Sequence, residues 1–126
     1  MPHILIHDPR GPHEEWQKLL AARGRDVVVC CDRDSFVNAL GERRPDVLVY
    51  VLTDLELDLQ LLFELRRVAS TLPIVLLDGP TDLEIRRRVQ KLNPTYYGVS
   101  PTDSSEVSDV VRSTLGRVMD RMTPLS

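Results

Sequence analysis

The stretch Pro45-Asp-Val-Leu-Val-Tyr-Val-Leu-Thr-Asp54 decides the fold. Within it, Val47 to Leu52 are six apolar residues in a row, with no polar alternation. A strand packed on one face alternates, whereas a strand covered on both faces does not. The run therefore predicts the centre of a parallel sheet with layers on either side. It is also the longest apolar run in the chain, far short of the roughly 20 residues that a membrane helix needs.

Working outward, His3-Ile-Leu-Ile-His7 and Val27-Val-Val-Cys-Cys31 are short strand candidates, the second dense in β-branched residues. Pro73-Ile-Val-Leu-Leu77 repeats the central signal, and Thr95-Tyr-Tyr-Gly-Val99, between Pro94 and Pro101, is the fifth. Helical periodicity fills the gaps. A helix is predicted over 12–23, with Pro12 at its first position, where a missing N–H costs nothing. Glu14 and Glu15 lie near the positive end of its dipole, Trp16, Leu19 and Leu20 follow at helical spacing, and Gly24 stops it. A second is predicted over 34–42 with Phe36, Val37 and Leu40 inward. A third covers 56–70, with Leu61, Leu62, Leu65 and Val68 on one face and Thr53-Asp-Leu-Glu56 as its capping box. Thr81-Asp-Leu-Glu84 reads as a further capping box, opening a helix with Leu83, Val89 and Leu92 as apolar contacts. Asp103-Ser-Ser-Glu106 opens the last, with Val107, Val110, Val111, Leu115, Val118 and Met122 along one stripe.

The order βαβαβαβαβα predicts an α/β domain: a (βα)5 doubly wound, five-stranded parallel sheet with right-handed crossovers and helices on both faces. The expected domain runs over 1–121, and 122–126 is a tail or the start of a linker. Function in such sheets sits at the carboxyl ends of the strands. That points to 7–12, 31–34, 52–58, 78–82 and 100–103.

Composition narrows the function classes. Among 126 residues, 42% are hydrophobic and 28% charged, ordinary for a globular protein. The net charge of −3 argues against direct nucleic-acid binding driven by phosphate neutralisation. Fourteen arginines stand against two lysines, a bias that source-genome composition explains as readily as a need for forked donors. Cys30 and Cys31 are the only cysteines and adjacent, so no disulfide framework is expected. The expected compartment is reducing and cytoplasmic. The first residues show no series of basic, apolar and small-residue segments of the kind that directs export.

Several segments in order resemble the receiver domain of two-component response regulators, over essentially the whole chain. Ile4-Leu-Ile-His-Asp8 resembles that family's first strand, which ends in acidic residues. Pro45-Asp46-Val-Leu-Val-Tyr-Val51 resembles the strand leading to the phosphorylated aspartate, and Leu61-Leu-Phe-Glu-Leu-Arg66 the helix after it. Leu72-Pro73-Ile-Val-Leu-Leu77 resembles the fourth strand. Tyr97-Gly-Val-Ser-Pro101 resembles the tyrosine, two residues, lysine and proline that close the fifth. The resemblance implies a flavodoxin-like sheet in strand order 2-1-3-4-5. It also implies a signalling role in which two acids and the acceptor aspartate hold magnesium, a hard cation that takes oxygen ligands.

The departures are at the chemical positions. Asp8 matches the first acid, but Pro9 falls at the second. The acceptor position, six residues after Pro45, is Val51, or Tyr50 if the register is one residue early. The switch hydroxyl falls at Asp78, which would repel an acyl phosphate, and the lysine position before Pro101 is Ser100. Asp8, the Pro101 geometry and Tyr97, as an aromatic switch, are what remains. The expectation is a pseudo-receiver: a non-enzymatic signal-transduction module, without cofactor, acting on a signalling partner by phosphorylation-independent protein–protein contact. One alternative is an active receiver with a displaced acceptor at Asp54. Another is a flavodoxin-like enzyme that binds a small ligand or metal near Asp8, Asp54 and Asp78.

Other candidates are weaker. His3, His7 and His13 lack the tight spacing of a zinc site, so buried or capping histidines are expected and no metal site. Asp8, Asp54 and Asp78 are expected to converge as an acidic cluster with no lysine to neutralise it, able to hold a cation loosely. A single glycine in the first turn excludes a dinucleotide fingerprint and a P-loop. There is no Gly-x-Ser-x-Gly elbow. Cys30 and Cys31 have no evident general base and read as core filling. Arg86, Arg87, Arg88 and Lys91 on one helix, and Glu106, Asp109, Arg112 and Asp120 on the last, carry opposite charges. They form either a homodimer or partner face, including the strand between them, or an ordinary solvated surface.

Overall fold

In the computed structural model, the central run folds as expected. Val47–Val51 is a strand with every residue buried, bonded in parallel to His3–His7 on one side and Ile74–Gly79 on the other. The structure describes residues 2–10, 18, 20, 24–101 and 103–122. The elements are β1 (His3–His7), β2 (Asp26–Cys30), α1 (Arg33–Glu42), β3 (Val47–Val51), α2 (Leu55–Val68), β4 (Ile74–Gly79), α3 (Leu83–Gln90), β5 (Tyr96–Val99) and α4 (Ser104–Met122). The five strands are parallel in the order β2-β1-β3-β4-β5. Four helices lie among the described residues, and the helix predicted over 12–23 falls largely outside them.

Alternation along the inner strands builds two cores. Leu5, Leu48, Tyr50 and Leu76 point to the side of α1, α2 and α3, where Phe36, Leu59, Leu62, Val89 and Leu92 meet them. Ile4, Ile6, Val47, Val49, Val51, Val75 and Leu77 point to the other side and pack on Val107, Val111 and Leu115 of α4 and on Leu20. Two-sided burial is why β1 and β3 read as apolar runs; each buried aliphatic side chain contributes about 1.5–3 kcal/mol.

The helices depart from expectation in detail. The stripe of α2 passes from Leu61, Leu62 and Leu65 to Ala69, leaving Val68 81% exposed. Val37 lies beside the inward Phe36 and is 46% exposed. Leu83, at the first position of α3, is 68% exposed, because Ile85, Val89 and Leu92 make the core contact. Neither threonine caps a helix. Asp82 caps α3, accepting the N–H groups of Glu84 and Ile85. At α2 the cap position is Asp54, whose side chain makes no capping bond. Asp58 instead reaches back to the N–H groups of Thr53 and Asp54 at 2.9 and 3.0 Å. The second strand ends at Cys30, which is buried, so Cys31 lies beyond it and is exposed.

Candidate functional site

At the carboxyl end of β1 the chain turns at Pro9 and Arg10, just after Asp8. Asp8 is completely buried, and its N–H donates to the Cys30 carbonyl at 2.9 Å. A carboxylate taken out of water costs several kcal/mol unless it is paired. The turn supplies the pair. The Arg10 backbone N–H and Nε donate to Asp8 Oδ1 at 3.1 and 3.0 Å, and Nη2 donates to Oδ2 at 3.3 Å. The remaining arm, Nη1, donates to Asp78 Oδ2 at the end of β4. Hydrogen bonding to Asp8 raises the Arg10 pKa above its already high ordinary value. One guanidinium fork thus joins the ends of two strands that flank β3.

Asp78 holds a left-handed conformation (φ 57°) where the β4–β5 register shifts. At the next residue, a Cβ on Gly79 would collide with the Tyr97 ring where it now lies. The Tyr97 hydroxyl donates to the Pro80 carbonyl at 2.6 Å, and the Arg86 guanidinium lies 5.9 Å from the ring centroid. The exposed Ser100 donates its N–H to the Gly79 carbonyl at 3.1 Å and precedes Pro101 through a cis peptide.

Beneath this surface is an aromatic box. His7 stacks on Tyr50 with centroids 4.3 Å apart and meets the edge of Phe36 at 5.0 Å. The Tyr50 hydroxyl donates to the buried Asp58 Oδ1 at 2.6 Å. Burial and that bond push the Tyr50 phenol far above its usual range. Burial lowers the His7 pKa, against the opposing pull of Asp58, Asp8 and Asp32. His7 Nδ1 has no hydrogen-bond partner among the described residues.

No protein-family model matches this chain, and no curated protein matches its sequence. Solved structures do match. A response regulator receiver domain protein from Clostridium thermocellum is 18% identical, with 93% of this chain and 96% of that one covered, at a TM-score of 0.74. A CheY-like receiver domain protein from Methanospirillum hungatei JF-1 gives 14%, 96%, 98% and 0.76. The signal receiver domain of an HD domain-containing protein from Pseudomonas fluorescens Pf-5 gives 21%, 94%, 98% and 0.76. This is the receiver fold.

On the receiver fold, the residues at the expected chemical positions fall as follows. Asp8 and Asp78 come together, through Arg10. Pro9 is the turn residue between Asp8 and Arg10. Val51 is fully buried hydrocarbon in the core beneath α4. Asp54 is exposed and does not join Asp8 and Asp78. Among the described residues, no three His, Cys, Asp or Glu side chains are placed to hold a metal ion. The expected three-acid cluster is therefore two acids and an arginine. Magnesium does not fit these donors: it requires several oxygens, Pro9 and Val51 offer no side-chain oxygen, and Arg10 spans the two carboxylates. His3 and His7 are both buried, while His13 lies outside the described residues.

Arg10 was not singled out in the sequence, although it stands two residues after Asp8 at a Pro turn, close enough for its fork to fold back. The Tyr50–Asp58 pair also went unread, since residues eight apart meet here only because a loop joins strand to helix. On the charged face, Arg88 is tied to Glu56 of α2 at 2.8 and 3.1 Å. Arg112 lies 4.0 Å from Asp109 on its own helix. Arg86, Arg87, Lys91 and Glu106 are exposed, while the Asp120 side chain lies outside the described residues.

Proposed function

We propose that this chain is a signal-transduction module of the receiver type that acts by protein–protein contact and not by phosphoryl transfer. The observation that carries the reading is the Arg10 fork. It occupies Asp8 and Asp78 together, at the strand ends where a receiver would run its chemistry, and Val51, the residue expected at the acceptor position, is buried hydrocarbon. An internal cation then neutralises the acids permanently, which favours one state of the strand-end loops. Tyr97, bonded to the Pro80 carbonyl, is held by the same packing. A partner would switch the module only through different affinity for two states.

The partner face we favour is built from α3, β5 and α4, with Arg86, Arg87, Lys91 and Glu106 at its surface. Arg88, one of the charges expected to join homodimer subunits here, is engaged within the chain by Glu56, so a different signalling protein suits this face better. The adjacent thiols Cys30 and Cys31 fit a reducing, cytoplasmic setting. Among the described residues, no helix is long and apolar enough to cross a membrane.

Incubation with magnesium and acetyl phosphate, followed by intact mass, tests the reading. The expected outcome is an unchanged mass. Gain of one phosphoryl group, lost in Asp54→Ala, overturns it in favour of a displaced acceptor.

A further inference from the structure

At the amino end of the sheet, opposite the strand ends joined by the Arg10 fork, a cavity of about 270 Å³ opens where the chain passes from α2 into β4 and from α3 into β5. Arg66 of α2 and Arg117 of α4 line it, together with Ser70, Thr71, Asn93 and Thr95. Among the described residues that line it there is no acid. Every hydrogen bond of the Arg66 guanidinium goes to a carbonyl oxygen, so its charge meets no carboxylate. Its Nη2 has a single acceptor, the Asn93 carbonyl at 3.4 Å, and so keeps N–H capacity to spare. Burial pushes the Arg66 pKa below the ordinary guanidinium value. Arg117 is exposed and makes neither an ion pair nor a hydrogen bond among the described residues. The side chains of Ser70, Thr71, Asn93 and Thr95 also have no hydrogen-bond partner there.

We propose that this cavity binds the phosphate group of a small molecule. Charge decides the ligand class. Two cations with no acid beside them call for a doubly charged anion, and a phosphate group carries a charge of about −1.5 to −2 at neutral pH. A monocarboxylate would answer one guanidinium and leave the other. The lining also supplies donors of the right kind: guanidinium arms make the strong, charge-assisted bonds to phosphate oxygens, and three hydroxyls and an amide add neutral ones. A metal cation would meet two like charges instead. Arg66 and Arg117 belong to helices on opposite faces of the sheet, so an anion held by both ties the two helical layers together at this end. The site shares no residue with the Arg10 fork or with the charges of the proposed partner face, and it does not depend on how either works.

Calorimetric titration of the full chain with inorganic phosphate and with glycerol phosphate, at ionic strength held constant with sodium chloride, tests the proposal. Saturable binding at one site is expected, with amide NMR shifts at Thr71, Asn93 and Thr95. Tighter binding of glycerol phosphate would assign the site to a phosphate carried by a metabolite, and equal or tighter binding of inorganic phosphate to the free ion; either supports the proposal. Arg117→Glu, at a position exposed enough to leave the fold intact by circular dichroism, is expected to weaken binding by at least about tenfold, the order of one charge-assisted bond. Arg67→Glu makes the same charge change on an exposed residue of α2 that does not line the cavity. It is expected to weaken binding by less than about threefold, since exposed charges at a distance are screened. Absence of saturation by either compound up to about 10 mM overturns the proposal. So does equal weakening by the two variants, which would show a general attraction to positive surface.

Discussion

The two ends of β1 solve the same problem in different ways. Each end buries a histidine on the same face of the sheet, His3 at 4% exposure and His7 at 5%. At the amino end the polar groups around His3 answer one another. His3 Nδ1 lies 3.0 Å from Asp26 Oδ2, which also accepts from Arg43 at 2.8 Å, and the His3 N–H donates to Asp46 at 2.7 Å. Further along that end, Arg66 spends its fork on backbone. Its Nε donates to the Leu92 carbonyl at 2.7 Å, and its Nη1 to those of Leu72 and Ala69 at 2.7 and 3.0 Å. At the carboxyl end the corresponding fork, on Arg10, is spent on two side-chain carboxylates, and His7 Nδ1 has no partner among the described residues. Carbonyls exist wherever the chain goes, so Arg66 is architecture. Carboxylates at strand ends need not exist for folding, so the Arg10 fork neutralises a site rather than building a scaffold.

On that contrast, breaking the amino-end fork is the more damaging change. Arg66→Ala strands carbonyls of two loops at once. Each unmade bond at a buried group costs about 1–3 kcal/mol, reduced where water enters the half-buried site. The expected loss is about 2–4 kcal/mol in urea unfolding at unchanged slope. Arg66→Lys is expected to recover only part, since an ammonium cannot span carbonyls that a planar fork reaches together. Full recovery by lysine would mean that charge, not the fork, is what holds this end.

Breaking the carboxyl-end fork has a smaller effect with a different signature. Arg10 is 43% exposed, so water takes up part of its role when it is removed. Arg10→Gln is expected to cost about 1–2 kcal/mol. In an Asp8→Asn background the same change is expected to cost clearly less, because the buried carboxylate that needed Arg10 is gone. Equal losses in the two backgrounds would show that Arg10 acts on stability through something other than the Asp8 pair.

The same contrast explains what could be read before the structure. The sheet was legible because β1 and β3 are buried on both faces, and that writes itself as uninterrupted apolar runs. Its order followed from the family resemblance and is what the structure has. Helix faces were less legible. Val68 satisfies the helical period as well as Ala69 does, and only the position of Leu72 and the sheet decides which of them turns inward. The cap at α2 misled because Asp58, in the first turn, takes the Thr53 N–H that Glu56 would accept in a capping box. The candidate site was half legible: Asp8 and Asp78 could be placed at strand ends by topology. The arginine joining them, 68 residues from Asp78, depends on how the turn at Pro9 aims a flexible side chain, and no periodicity encodes that.

The subtlest consequence of the contrast is a pH dependence that His7 should contribute. Its pKa in the folded chain lies below the ordinary imidazole value near 6.5 because burial penalises the charged form. Below pH 6.5 the unfolded chain therefore binds a proton that the folded chain resists. Stability from this group is complete above about pH 7 and declines as pH falls through 6.5 towards the lowered folded value. In His7→Phe, which keeps an aromatic ring against Tyr50, that part of the decline disappears. Urea midpoints at pH 7.5 and 5.5 for both proteins isolate it, because the carboxylates common to the two cancel in the difference. A His7→Phe protein that loses as much stability on acidification as the parent would show that burial does not disfavour the charged form of His7. The two ends of β1 would then be wired alike.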